Sequence, residues 1–179
     1  MKKIVFMALF AVMALAANAQ NRGKFTVWYG FNVSCIDMED GDPDSEFKPL
    51  NIGLDYTGAI KNNFFWTAGL SYQTKGAKDW DPGVMQLEGN VSYNFLHNSE
   101  FKMGVFLGPF MNVMVNKDDD EMDGRFNEIE TFSAGVQTGL VANYKMLQLK
   151  CGLEYAGTDV FKHVGSNPYS AYMRVGVNF

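Results

Sequence analysis

The sequence predicts an all-β fold in which eight antiparallel strands close into a single barrel. Apolar and polar residues alternate over eight segments after residue 20, which is the pattern of strands with one apolar and one polar face. The connections between these segments alternate between long and short. Glycine (18 residues) and aromatic residues (15%) are both frequent, as a tightly curved sheet requires.

The first 19 residues have the three parts of a secretory signal peptide. Met1-Lys2-Lys3 is basic, Ile4–Ala17 is apolar, and Ala17-Asn18-Ala19 is a small-residue cleavage site. We therefore expect cleavage after Ala19 and one mature domain, residues 20–179. Gln20 follows the site where a lipoprotein would have Cys.

The charge balance argues against nucleic acid as a partner. The chain has 15 Lys and Arg against 20 Asp and Glu. Removal of Lys2 and Lys3 with the signal peptide leaves a net charge of −7. A nucleic-acid-binding domain would instead carry a basic surface.

Four strands are predicted in the first half of the mature chain. The fourth shows the alternation most clearly: apolar residues or Gly occupy the odd positions of Met85–Phe95, and Gln86, Glu88, Asn90, Ser92 and Asn94 occupy the even ones. Asp-Gly and Asp-Pro turn signals in an acidic loop separate the first two strands, and Lys61-Asn62-Asn63 forms a tight turn after the second. The predicted ranges are Lys24–Ile36, Pro49–Ile60, Phe64–Thr74 and Met85–Phe95.

Four further strands follow with the same alternation. Pro109 lies inside the fifth strand, where it cannot donate a ladder hydrogen bond, so we expect a bulge or a local distortion there. A Lys145-Met146 turn joins the sixth and seventh strands. The predicted ranges are Phe101–Val115, Thr131–Tyr144, Leu147–Ala156 and Tyr169–Phe179.

The apolar faces of these strands are expected to point outward, towards lipid. Their aromatic residues gather near the strand ends, as in the two aromatic girdles of a transmembrane barrel. Glycine recurs on the polar faces, as a small crowded lumen requires. Short turns alternating with long loops are also typical of transmembrane barrels. A soluble barrel with its apolar face inward is the alternative.

The C-terminal strand Tyr169–Phe179 ends in an aromatic residue. Together with the signal peptide and the alternating strands, it makes the mature chain resemble the small outer-membrane β-barrel proteins of the OmpX-like or PorT-like kind. The resemblance implies an eight-stranded transmembrane barrel in the outer membrane of a Gram-negative cell. It also implies contact with outer-membrane lipid, and recognition of Tyr169–Phe179 by the barrel-assembly machinery. We expect a monomer.

Charged residues on the polar faces should pair inside so small a barrel. Counting outward from the adjacent turns places Glu154 opposite Arg174 and near Gln137, so we predict a row Gln137–Glu154–Arg174. Glu88 has no basic residue at its predicted level, and we expect it to bond to Ser71 and water. A structural plug is favoured over a proton or ion path. The aromatic side chains expected to narrow the lumen are Trp28, Phe106, Phe110 and Tyr172.

The long loops hold sixteen of the 20 acidic residues. One stretch, from Asp119 to Glu130, resembles the spacing of a calcium-binding EF-hand loop, with Glu121 in place of the usual Asp or Asn. Because strands rather than helices flank it, a solvated acidic loop is favoured over a calcium site. Cys35 and Cys151 are expected on strands that are not neighbours, as free thiols facing lipid.

Catalysis has little support in the sequence. His163 and Ser166 share the last loop and could act as a general base and a hydroxyl nucleophile, but loop histidines are usually only solvated. We therefore expect no catalytic, cofactor-binding or metal-binding residues and no cofactor. The expected function is a non-enzymatic, structural or surface-interaction role, with an extracellular partner at the acidic loops. A lipid-modifying enzyme, a small pore and a soluble ligand-binding barrel remain alternatives.

Overall fold

The computed structural model describes residues 23–38, 44–75, 83–116, 132–157 and 166–179, and these residues form eight strands. None of them forms a helix long and apolar enough to cross a membrane. The predicted signal peptide, the Asp119–Glu130 stretch and His163 lie outside the described residues. The strands are β1 (Lys24–Met38), β2 (Asp44–Lys61), β3 (Phe64–Thr74), β4 (Gly83–His97), β5 (Phe101–Asn116), β6 (Phe132–Tyr144), β7 (Leu147–Ala156) and β8 (Ser166–Asn178).

Each strand pairs antiparallel with the next, and β8 pairs with β1 to close the barrel. The closing ladder runs from Thr26 opposite Asn178 to Met38 opposite Ser166. Closure leaves no strand edge with unpaired backbone groups, which is the condition for a sheet to span a membrane. The predicted eight-stranded antiparallel barrel is confirmed.

The outer face of the barrel is apolar. Leu107 and Leu153 are each 62% exposed, and 30 further large hydrophobic residues are also exposed. Aromatic side chains lie near both ends of this face, including Phe64 and Tyr144 towards the short turns and Phe132 and Tyr155 towards the long connections. In water so large an apolar surface would drive aggregation, whereas in a bilayer it is solvated by lipid.

The core of the molecule is the lumen, and most of it is polar. Among the described side chains, twenty polar or charged residues are buried, against seven hydrophobic ones. The four aromatic residues predicted to narrow the lumen are all buried there: Trp28, Phe106, Phe110 and Tyr172. The side-chain pattern is therefore inverted relative to a soluble barrel, as the sequence predicts.

Two short turns show how the barrel reverses direction at one end. Asn62 and Lys145 have left-handed backbone conformations, with φ of 50° and 52°. Asparagine adopts this conformation comparatively readily, whereas lysine does so with strain. Both turns lie where the sequence predicts them.

Three expectations about the strands were wrong in detail. β1 and β2 extend further than predicted, so that much of the acidic loop after β1 is paired backbone. β8 begins at Ser166 rather than Tyr169, which moves Ser166 from a loop into a strand. The added ladder pairs join backbone of residues such as Ser34 with Glu46 and Asp37 with Asn167, where the sequence does not alternate between apolar and polar residues.

Of the two alternatives expected at Pro109, a bulge or a local distortion, the structure shows the distortion. Pro109 pairs with Val136 in an unbroken β5–β6 register. The β4–β5 ladder lacks the pairs of Gly89 and Asn90 with β5, yet the register on either side is the same. The missing N–H of proline thus interrupts one ladder locally without inserting a residue.

Candidate functional site: a charge network across the lumen

Six charged side chains from different parts of the barrel meet at mid-height in the lumen. They form what we call the lumen network: Asp55 on β2, Lys75 just after β3, Glu88 on β4, Lys150 and Glu154 on β7, and Arg174 on β8. Each of the five strand residues occupies a polar-face position of its strand, so the alternation of the sequence directs it inward. The network contains three carboxylates and three cations and is therefore balanced in charge.

Glu88 is the best-paired carboxylate of the lumen network. Lys150 Nζ donates to Glu88 Oε1 at 2.5 Å, and the Arg174 guanidinium donates to Glu88 Oε2 at 2.7 Å. All three side chains are buried. The expectation that Glu88 lacks a basic partner and bonds to Ser71 is wrong, because its partners reach it from β7 and β8 across the lumen.

Glu154 is the second centre of the lumen network. Its Oε2 accepts from Lys75 Nζ at 2.5 Å and from the Ser170 hydroxyl at 3.1 Å. Its Oε1 accepts from Gln86 Nε2 at 2.8 Å and from the Arg174 guanidinium at 3.4 Å. Arg174 therefore bridges Glu88 and Glu154, which joins two sides of the barrel wall.

Asp55 completes the set of carboxylates. Trp28 Nε1 donates to Asp55 Oδ1 at 2.9 Å, and Lys150 Nζ lies 3.9 Å from Asp55 Oδ2. Lys150 thus stands between Asp55 and Glu88. Every buried charge of the network has an opposite charge within ion-pair distance, which offsets the cost of taking it out of water.

An aromatic ring supports each of the three cations. The Arg174 guanidinium lies between Trp28 and Tyr172, 4.2 Å and 4.1 Å from their ring centroids. Lys150 Nζ lies 4.7 Å from the centroid of Phe106 and Lys75 Nζ lies 5.1 Å from that of Phe110. Cation–π attraction is strongest at such desolvated sites. Ion pairs and aromatic rings together fill the cross-section of the lumen.

The predicted row Gln137–Glu154–Arg174 is correct in part. Gln137 does lie opposite Glu154, and Glu154 does contact Arg174. Arg174, however, lies opposite Lys150, and Ser170 lies opposite Glu154. Gln137 bonds to the Tyr172 hydroxyl rather than to Glu154. The offset arises because a long connection joins β7 to β8, so counting from a tight turn does not fix their register.

Sequence reasoning missed Lys75 and the role of Lys150. Lys75 lies one residue past β3, and the alternation of a strand says nothing about where such a residue points. Lys150 occupies a polar-face position of its strand, but its partner Glu88 is 62 residues away and on a strand that is not adjacent. The sequence places three acids and four bases on the polar faces of the strands, and only this mixture of signs indicated that charges would pair in the lumen.

The cysteines and the catalytic candidates are not brought together. Cys151 is a free thiol on the outer face of β7, as predicted. The side chains of Cys35 and Ser166 lie outside the described residues, as does His163, so the predictions about them stay predictions.

Comparison with known proteins shows a shared fold but identifies no family for this chain. No protein-family model matches the chain, and no curated protein matches it. Among solved structures, Ail of Yersinia pestis in complex with the heparin analogue sucrose octasulfate superposes with a TM-score of 0.52 at 15% identity, covering 88% of this chain and 99% of that one. Neisserial surface protein A has a TM-score of 0.50 at 17% identity, covering 87% and 97%. The outer membrane protein OprG from Pseudomonas aeruginosa has a TM-score of 0.50 at 12% identity, covering 88% and 96%.

The closed barrel, the apolar exterior and the polar interior define the class of the protein. It is an eight-stranded transmembrane β-barrel of the outer-membrane type. Its architecture is that of the small outer-membrane barrels, as the resemblance implied. Its place is therefore the outer membrane, with lipid against the outer face of the strands.

Proposed function

We propose that the protein is a non-enzymatic outer-membrane barrel that is closed to solutes and that acts through the acidic loops it presents at the cell surface. The barrel serves as a rigid membrane anchor for those loops. We propose further that the protein is a monomer and that its C-terminal strand Tyr169–Phe179 directs its assembly into the membrane.

The observation that carries the proposal is the lumen network. A hydrated ion crossing the barrel would have to separate Arg174 from Glu88 and Glu154, and Lys150 from Glu88, in a space already filled by aromatic rings. Breaking such buried pairs costs several kcal/mol each. This supports a plug over the pore that remained an alternative.

The surface role is supported by charge. In the long connections the sequence concentrates acidic residues, most densely from Asp118 to Glu130. Ail, which shares this fold, has been crystallised with the heparin analogue sucrose octasulfate. Acidic loops would repel such a polyanion. We therefore propose a partner with a basic or neutral surface for this chain.

Planar-bilayer conductance tests the closed lumen. The purified barrel is expected to give no steady channel, whereas the double variant Arg174→Ser with Trp28→Ala, which removes the central cation and a ring against it, should conduct. A matched variant on the outer face, Leu107→Ala with Leu153→Ala, should remain silent. Stable openings of the wild-type protein would contradict the proposal.

Complementation of a deletion strain tests the loops. A barrel in which residues 117–130 are replaced by a short Gly-Asn turn should reach the outer membrane and yet fail to restore the surface phenotype of the deletion. Full restoration by the loop-shortened barrel would place the function in the barrel itself. Lipid analysis of the same strains tests the alternative of a lipid-modifying enzyme. That alternative requires a lipid species that is present with the wild-type protein and is lost with the variant His163→Ala.

A further inference from the structure

A cavity lined by polar side chains and by Phe65, Phe106 and Val141 opens on the barrel axis below the lumen network, at the end where the short turns lie. Its volume is about 160 Å³, and residues from all eight strands line it. Lys150, Asp55 and Phe106 form its deep end. Short turns face the periplasm in barrels of this class, so the cavity is a blind vestibule that opens to the periplasm.

Two lysines in the wall of this vestibule have no acidic partner. Lys24 and Lys102 both line the cavity, and among the described residues neither lies within ion-pair distance of a carboxylate. Lys102 Nζ lies over the ring of Phe65, 5.8 Å from its centroid. Both ammonium groups line the same cavity, where like charges repel each other. The lumen network is already neutral, so these two positive charges remain in excess.

The polar side chains around the lysines have unused hydrogen-bonding capacity. Asn143 Oδ1 accepts from Gln148 Nε2 at 3.2 Å and from Asn178 Nδ2 at 3.1 Å. That arrangement uses the oxygen of Asn143 and leaves its NH₂ group as a donor at the cavity wall. Asn90 also lines the cavity, is only 4% exposed, and has an Oδ1 with no hydrogen-bond partner in the described structure. A buried acceptor of this kind is normally satisfied.

We propose that the vestibule binds a small oxyanion of the phosphate class from the periplasmic side. Lys24 and Lys102 would hold its negative oxygens by charge-assisted hydrogen bonds, with the NH₂ group of Asn143 as a neutral donor. A protonated phosphate oxygen, or a water bound with the anion, would donate to Asn90 Oδ1. The size of the cavity suits an ion of this size with one or two waters.

Among the described residues of the vestibule wall, Asp55 is the only one with a carboxylate side chain, and it does not oppose this assignment. Asp55 lies at the deep end, where Trp28 and Lys150 already engage its oxygens.

The closed wall of strands indicates whether the anion is a free solute or a lipid headgroup. Because a lipid headgroup would have to leave its leaflet and enter along the axis, a free solute is favoured over an inner-leaflet phospholipid.

Calorimetric titration of the refolded full-length mature barrel with inorganic phosphate, at constant ionic strength in a zwitterionic detergent, tests the proposal. Wild-type protein should bind one phosphate, and Lys24→Gln with Lys102→Gln should weaken binding by at least about tenfold, the effect of a single strong contact. The matched control Lys61→Gln with Lys145→Gln removes two lysines at the same end of the barrel but outside the vestibule. It should change the affinity less than about twofold.

Three further measurements test whether the variants are folded, whether binding is selective for phosphate, and whether the anion is a free solute or a lipid headgroup. The heat-dependent gel shift establishes that each variant is folded, and the vestibule variant should be at least as stable as wild type without phosphate because lysine repulsion is relieved. Acetate in place of phosphate should bind more weakly. Vesicles containing phosphatidylglycerol should not compete with phosphate. No saturable phosphate binding by wild type, or equal weakening in both double variants, would overturn the proposal. The conductance test of the closed lumen is independent of this titration, so failure of phosphate binding would leave the proposed function standing.

Discussion

At the scale of single residues, Glu88 is a lumen carboxylate that joins its own strand to two strands that are not its neighbours. It lies on β4, and its two cationic partners lie on β7 and β8, on the other side of the lumen. Such a contact acts as a strut across the barrel and complements the backbone ladders, which connect only adjacent strands. Because both partners are buried, the loss of the carboxylate leaves positive charge uncompensated.

Replacement of Glu88 by Gln should therefore destabilise the barrel by about 3–5 kcal/mol, the usual cost of breaking a buried pair. Reversible urea unfolding in detergent measures it. Glu100→Gln is the matched control: Glu100 pairs with Lys145 at 3.6 Å on the exposed surface, so its loss should cost less than about 1 kcal/mol. A second change, Lys150→Met in the Glu88→Gln background, should recover part of the stability. Equal stability of Glu88→Gln and wild type would show that the strut is unimportant.

At the scale of elements, the short turn between β6 and β7 carries a local strain. Lys145 has φ of 52°, and a left-handed conformation costs a non-glycine residue about 1–2 kcal/mol. The ion pair of Lys145 with Glu100 is exposed and offsets little of this. The turn is therefore held in place by the two strands it connects.

Lys145→Gly should stabilise the barrel by about 1 kcal/mol relative to Lys145→Ala. Both variants lose the ion pair with Glu100, and only glycine relieves the backbone strain. The comparison uses thermal unfolding followed by the loss of the fast-migrating folded band on gels. A glycine variant no more stable than the alanine variant would mean that the turn relaxes without cost.

The strands themselves were predictable, and the contacts between them were only partly so. Alternation fixed the faces of β3 and β7 to the residue, because a one-residue slip would have turned Leu70 or Leu153 into the lumen. Register across the β7–β8 connection was not predictable, and Arg174 was assigned to a level that Ser170 occupies. Pro109 was expected to cause a bulge or a distortion in β5. It interrupts the β4–β5 ladder locally, and the unbroken β5–β6 ladder keeps the register.

The candidate site required the third dimension. Lys150 and Glu88 are both recognisable as inward-facing residues, yet nothing in the order of the chain indicates that β4 and β7 face each other at that height. Their proximity follows from barrel closure and strand stagger. Lys75, which follows the end of β3, was beyond prediction for the further reason that alternation ends with the strand.

At the scale of the whole molecule, the distribution of side chains is inverted relative to that of a soluble barrel. Charges and amides fill the interior, and valine, leucine and aromatic residues cover the exterior. In water this barrel would expose its apolar face to solvent. A soluble barrel has the opposite arrangement and buries its apolar face in the interior. The charge network and the basic vestibule divide the interior into a closed middle and a cavity open at the turn end.

Native tryptophans allow the most direct test of this inversion. Trp28 is 2% exposed and packs on Arg174 in the lumen, whereas Trp66 lies on the outer face of β3 near the turn end, with its ring 5.3 Å from that of Tyr56. Single-tryptophan proteins are made by changing the other two of Trp28, Trp66 and Trp80 to Phe. Their fluorescence is measured in vesicles of lipids brominated near the headgroup. Strong quenching of Trp66 and little quenching of Trp28 is predicted, and quenching of Trp28 or none of Trp66 would contradict the account.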